Sequence, residues 1–432
     1  MNDSSDHSEC ALLDYEVSNP DATRIRSAGR DVLSLALIDS RNHTLRWISA
    51  LETALGGAHL RLPDGLAAGA LAELEPPLWT LGRIGWYAEQ WIGRNVQRQR
   101  GERSDPTRPK LASILPEADR AFGPGSPSNM SALRRSELAL PELQTVRQFL
   151  VDTLETTLEL LDTAGDDDDA LYFYRLVLFH EDRRREDFAT LAQALGLNTG
   201  LAGAPAAPAS LRPALLFPAT RWMLGSEDGN KRGGFVFDNE KWAHEIALPE
   251  FEIDAQPVSW AQFSEFVEDG GYDDRNHWSE AGWTWLTRES RRTPRYVDQM
   301  RQGVLQHRFG RLVRVPLAQP VLHVSWYEAD AWCRWAGRRL PSEVEWEAAA
   351  LQGATRGWRW GDVAEWTATT YRPYPGFEPG PDREGASVGF GAHKALRGAS
   401  FASSPRLRHP KRRTSAPAAY DAGFVGFRSC AD

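Results

Sequence analysis

Apolar residues recur at helical spacing through the first 195 positions and lose that rhythm afterwards. In the stretch beginning at Asp31, Leu33, Leu37, Leu45, Ile48 and Leu55 share one side. In the third such stretch Leu143, Val146, Leu150, Leu154 and Leu161 do the same. Steps of three and four residues place each set on one face of a helix, which predicts an amphipathic helix with one buried side. Between them, PPLWTLGRIGWYAEQWIGRN opens with proline in its first turn, where a missing N–H does no harm. The fourth stretch, LYFYRLVLFHEDRRREDFATLAQAL, aligns Phe173, Val177, Phe188, Leu191 and Leu195. Four such helices predict an antiparallel bundle.

His180 and Arg184 interrupt the fourth stripe, four residues apart and aimed where the core should be. Burying a guanidinium without a partner costs on the order of several kcal/mol, so the pair needs a reason to be there. Arg83 in the second helix reads differently. Its wheel neighbours are Tyr87, Gln90 and Arg94, opposite Leu78, Leu81, Ala88 and Ile92, a pattern that predicts a solvated face. The flanking Trp79 and Trp86 direct that face toward a second domain instead.

The boundaries follow from texture. Residues 1–25 read as a disordered acidic leader, 26–197 as the helical bundle, 198–213 as a Gly/Ala/Pro linker and 214–432 as a second domain. The GDDDD run at 165–169 is expected to be a solvated loop between helices rather than a calcium cage. Beyond the linker, glycines, tryptophans and short β-like runs dominate. Helices stay legible at SWYEADAWCRWAGRRL and at SEVEWEAAA, where Ser342 and Glu345 form a capping box.

Composition narrows the function. The chain has 432 residues and a net charge of -9, which argues against a nucleic-acid partner. The polar start MNDSSDHSEC and the lack of a long apolar run predict no signal peptide, no membrane span and a cytoplasmic location. Cys10, Cys333 and Cys430 have no spacing for a disulfide framework or a zinc site.

Long segments of the second half, including PVLHVSWYEADAWCRWAGRRLPSEVEWEAAA, KALRGASFA and GFVGFRSC, resemble the formylglycine-generating-enzyme/sulfatase-modifying-factor module, an α+β fold related to C-type lectins. The first half, through LSLALIDSRNHTLRW, PPLWTLGRIGWYAEQWIGRN and YFYRLVLFHEDRRREDF, resembles the DinB-like four-helix bundle of the ergothioneine-type sulfoxide synthases. The similarity is greatest to the selenoneine-synthase branch. The resemblance implies a two-domain α+β protein with a non-haem iron(II) centre between the domains. It also implies O2-dependent joining of sulfur or selenium to hercynine, the betaine of histidine. Iron in that family rests on three histidines, one from the second helix and two from an H-x-x-x-H-x-E pattern on the fourth.

His180 and Glu186 match that pattern, His180 as a metal ligand and Glu186 as a residue behind the ligands. Arg184 and Arg83 stand where the other two histidines belong. Arginine stays protonated and has no lone pair to give a metal. Two further departures are Ala364 in GDVAEWT, where the family carries tryptophan, and RRTSAPAAYD, which lacks an Asn-aromatic-Tyr run. Trp79, Trp86 and Trp366 are the aromatic pocket candidates, and no catalytic residue is assigned. Two readings follow. In the first, the chain is an iron synthase that recruits substitute ligands, such as His43 or a carboxylate, around His180. In the second, it is a catalytically inactive relative that binds a hercynine-like betaine or a small anion, or stabilises an active paralogue.

Overall fold

Helices α1 (Arg30–Ala54), α2 (Pro77–Ala88), α3 (Leu143–Asp162) and α4 (Asp168–Ala194) form the first half of the computed structural model. The structure describes residues 21–57, 60, 74–123, 139–201, 203–208, 210–227, 233–300, 302–383 and 388–432. α1 lies against α4 and α2 against α3, burying Leu33, Leu37 and Ile48 with Phe173, Val177 and Phe188. These are the stripes read from spacing.

Three local outcomes differ from expectation. The leader expected through residue 25 falls mostly on positions 1–20, outside the described residues, but its end is ordered. Ala22 and Ile25 are buried, and Arg26 forks onto Glu240 of the second half at 2.6 and 2.9 Å. The aspartate run is less a loop than a helix start. Asp167 accepts the Ala170 N–H as the α4 cap, Asp168 binds Arg175, and both Asp168 and Asp169 sit in the first turn, where carboxylates favour the positive end of the helix dipole. The third difference is α2, which is buried on every side, so no face of it is solvated.

In the second half a four-stranded sheet flanks the bundle. Its strands are β1 (Ala364–Thr370), β2 (Lys394–Gly398), β3 (Arg413–Ala416) and β4 (Val425–Phe427), in the order β3-β2-β1-β4 with β4 parallel to β1. Buried ion pairs tie the sheet to its surroundings: Arg428, just past β4, forks onto Glu365 of β1 at 2.5 and 2.7 Å, and Arg397 of β2 reaches Glu347 of the helix Glu343–Gln352 at 2.6 Å. Trp260, Trp346 and Trp366 fill the core without exposure. The capping box forms as expected, Glu345 accepting the Ser342 N–H at 2.6 Å. Residues of the Gly/Ala/Pro segment dock on this half, where Gln319 donates to the Pro205 carbonyl and Asp362 accepts the Ala206 N–H.

The halves are clasped along α4. Arg406 binds Asp182 through Nε and Nη2, both at 2.7 Å, and Asp39 through Nη1 at 2.8 Å. At the far end Gln193 accepts the Phe309 N–H at 2.9 Å and donates to the His307 carbonyl at 2.8 Å, seizing a hairpin turn. No helix among the described residues is long and apolar enough to cross a membrane.

Candidate functional site

Because α4 runs between the bundle and the sheet, its polar middle faces a cavity of about 470 Å3. His180, Arg183, Arg184 and Glu186 line one wall. Ala364, Leu396, Thr414, Ala416, Tyr420 and Phe424 line the opposite one. Three of the four sequence departures converge, Arg184 on the helix facing Ala364 and the Thr414–Ala416 segment, whereas Arg83 is not on the cavity wall. Small side chains at these sheet positions widen the space.

His180 is fixed from two directions. Its ring stacks on Tyr87, with centroids 3.7 Å apart and planes 6° from parallel. The Tyr87 hydroxyl in turn donates to Asp382 of the second half at 2.5 Å. Burial and that carboxylate push the Tyr87 pKa well above its ordinary range, so it stays a phenol. On the other side Arg184 Nη2 lies 3.2 Å from His180 Nε2. A guanidinium has only donors, so Nε2 must be the acceptor and Nδ1 carries the proton. Burial, then the charges of Arg184, Arg83 and Arg183, hold the His180 pKa well below 6.5. The ring is neutral, and its Nε2 lone pair already has a hydrogen bond.

Arg184 is itself neutralised, donating to Glu75 at 3.1 Å and Asp187 at 2.9 Å. Arg83 is buried, contrary to the solvated face its wheel neighbours predict; the Phe122 segment of the first half covers it, and the second half reaches the neighbouring Tyr87 through Asp382. Its Nη1 donates to the Phe122 carbonyl at 2.5 Å and its guanidinium lies 4.4 Å above the Trp86 ring. Glu186 accepts the Ser400 and Ser403 hydroxyls at 2.6 and 2.7 Å, a tie between the two halves. The three tryptophan candidates are built into packing. Trp79 donates to the Ala121 carbonyl, Trp86 to Asp119 and Trp366 to the Val324 carbonyl. They stand outside the cavity wall, whose aromatic surface comes from Tyr420 and Phe424.

The donor set does not fit an iron(II) ion. A metal at His180 would meet the Arg184 guanidinium at hydrogen-bonding distance from the same nitrogen, with a second cation, Arg83, acting on the ring. Among the described residues no three His, Cys, Asp or Glu side chains cluster as a metal site. The substitute ligand His43 lies elsewhere, in a small crevice with Asp39, Glu181 and Asp182. Cys333 and Cys430 are buried thiols that burial pushes up in pKa.

Sequence reasoning missed Arg183, Arg412, Tyr420 and Phe424 as cavity residues. The runs RRR at 183–185 and KRR at 411–413 were the available signal, but charge runs are ordinarily solvated faces.

The sulfatase-modifying factor enzyme 1-like domain matches residues 212–362. Over 442 residues the chain is 30% identical to the hercynine oxygenase of Mycolicibacterium thermoresistibile, covering 89% of this chain and 91% of that relative. It is also 30% identical to the hercynine oxygenase of Mycolicibacterium smegmatis, over 79% of this chain and 87% of the relative. The second half alone is 33% identical over 164 residues to the inactive C-alpha-formylglycine-generating enzyme 2 of Mus musculus, covering 35% of this chain and 51% of the relative. Matched along most of the length of both mycobacterial-type relatives, the chain belongs to the hercynine oxygenase family.

Proposed function

We propose that this protein binds a hercynine-like betaine in the cavity between α4 and the sheet and performs no iron chemistry at His180. The observation that carries the reading is the 3.2 Å contact of Arg184 Nη2 with His180 Nε2, which engages the lone pair that a metal ligand needs. The carbon–sulfur or carbon–selenium bond formation implied by the resemblance depends on three neutral imidazoles, and two of those positions hold guanidinium groups. What supports retained recognition is the rest of the wall. Tyr420 and Phe424 make the wall partly aromatic, and aromatic rings attract quaternary ammonium groups; Glu186 adds negative charge on the α4 side. Arginines on the same wall suit the carboxylate end of such a zwitterion. An active paralogue would then supply any chemistry on the bound betaine.

Two measurements on the full chain, expressed with ample iron, test this. Elemental analysis is expected to find iron far below one equivalent, and calorimetry with hercynine a saturable heat. Stoichiometric iron that His180→Ala removes would overturn the first half of the proposal. Absence of hercynine binding would overturn the second.

A further inference from the structure

Next to the cavity lies a second chamber of about 220 Å3, and the two share Arg183, Arg412, Thr414 and Ser415 as walls. The remaining wall of the second chamber includes Asn239, Tyr371, His393 and Arg413. Three arginines thus face it, and no aspartate or glutamate among the described residues lines it. Arg413 is already matched, forked onto Glu343 with both contacts at 2.9 Å. Arg183 and Arg412 are not. Among the described residues neither guanidinium makes a hydrogen bond or an ion pair. Arg183 lies 5.0 Å over the Phe237 ring, which orients its plane without neutralising it. Two carboxylates reach Arg412 through their fields only: Glu186, whose oxygens already accept the Ser400 and Ser403 hydroxyls, and Glu240, which Arg26 forks.

Two unmatched guanidinium groups on one wall repel each other; Arg183 keeps an exposed flank while Arg412 is half-buried, so the chamber stays open to a solute from the Arg183 side. Burial, then the charges of Arg183 and Arg26, press the Arg412 pKa down against the pull of Glu186 and Glu240. A fold that keeps such an arrangement is relieved by an anion. We infer that this chamber is a binding site for a small divalent oxyanion, the phosphate or sulfate group of a ligand, held between Arg183 and Arg412. The planar guanidinium fork matches the oxygens of such a group, and Ser415, beside His393 on the same wall, supplies a hydroxyl. His393 contributes a hydrogen-bonding ring rather than charge: its Nδ1 lies 3.2 Å from Ser415 Oγ, and burial lowers its pKa. The site differs from the two arginines singled out in the sequence. Arg83 and Arg184 have internal partners, whereas Arg183 and Arg412 face the chamber.

Calorimetric titration of the full chain with inorganic phosphate and with sulfate, at matched ionic strength and without hercynine, tests the inference. Saturable binding is expected for both ions and not for chloride. Arg183→Gln and Arg412→Gln should each weaken it by about tenfold or more, the range for losing charge-assisted hydrogen bonds. Arg221→Gln, at an exposed ion pair on another sheet, should leave it unchanged. Should either glutamine variant fail to fold, Arg412→Lys keeps the charge but loses the fork and should still bind more weakly. No saturable heat in the wild-type chain, or wild-type affinity in both variants, overturns the inference. Glycerol 3-phosphate binding tighter than inorganic phosphate would assign the site to a phosphate ester, and the reverse order to the free ion. Hercynine binding is read in a separate titration, so the failure of either proposal is visible without the other.

Discussion

Arg184 Nη2 sits 3.2 Å from His180 Nε2, and Glu75 and Asp187 hold the arginine in that position. One helical turn separates the two residues, the spacing that lets neighbouring side chains on a helix meet at a shared point. Here they meet each other. An imidazole that stays neutral accepts a hydrogen bond from a guanidinium that stays charged, which is why this helix aims both residues inward.

Restoring imidazoles should restore a metal site. Arg83→His together with Arg184→His would place three neutral nitrogens around one point and remove two repelling charges. The gain in metal affinity is expected to be on the order of several kcal/mol. Cobalt(II) gives a direct readout, since ligand-field absorption should appear in the double variant and be absent from the wild type. A double variant that stays colourless at high cobalt would show that the three positions do not converge.

Stability should fall on the acid side. Burial is the main cause that lowers the pKa of His43 to about 4, of His323 and His409 to about 3, and of His180 well below 6.5. In the unfolded chain each protonates near 6.5, so the unfolded state takes up more protons below that pH. Their contribution is therefore complete above pH 6.5 and declines as the pH drops toward the folded values, by about 1.4 kcal/mol per pH unit for each histidine. Urea midpoints measured from pH 8 to pH 5 should trace that decline. His180→Phe keeps the stack on Tyr87 and should flatten the slope by one proton; an unchanged slope would mean that His180 is charged in the folded protein.

The bundle and the sheet-bearing half were legible because their signals are local. Helical spacing, the Ser342–Glu345 box and the matched motifs need no knowledge of distant residues. The departures at Arg184, Ala364 and Thr414–Ala416 were legible too, and the fold brings them to one cavity. What spacing does not carry is who covers whom. Arg83 reads as solvated because Tyr87 and Arg94 share its sector, yet the Phe122 segment and the loop bearing Asp382 close over that face. Arg184 draws Glu75 from before α2, and no pattern in the chain links the two. Arg183 and Arg412 are invisible for a related reason, since each lies in a basic run and only the fold shows which members of the runs lack partners among the described residues.

Arg406 should matter more to stability than any surface pair. It is almost fully buried, and so is Asp182, whose two oxygens it forks; Ser40 also donates to Asp182 at 2.9 Å. Arg406→Leu leaves a desolvated carboxylate between the two halves and should cost about 3–5 kcal/mol in urea unfolding. Adding Asp182→Leu removes the stranded charge and should recover part of that loss. A single variant as stable as the wild type would show that the clasp contributes nothing net.

The docking of the halves at the end of α4 depends on the absence of a side chain. Phe309 and Gly310 form the turn between strands Val304–Arg308 and Arg311–Val315, with φ values of 47° and 77°. Two consecutive left-handed residues are what a tight two-residue hairpin turn requires. A Cβ on Gly310 would fall 2.1 Å from the carbonyl oxygen of Gly196, just beyond the helix. Gly310→Ala therefore carries two penalties, about 1–2 kcal/mol for the left-handed backbone and about 1–3 kcal/mol more for forcing the two backbones apart. Gly337 separates them, because its φ is 62° and nothing lies within 4 Å of its would-be Cβ. Gly337→Ala should show the backbone penalty alone. Gly310→Ala should show the larger loss and also expose the Gln193 contacts to the Phe309 N–H and the His307 carbonyl, read as faster amide exchange at Phe309. Equal losses in the two variants would mean that the hairpin and α4 are not pressed together as described.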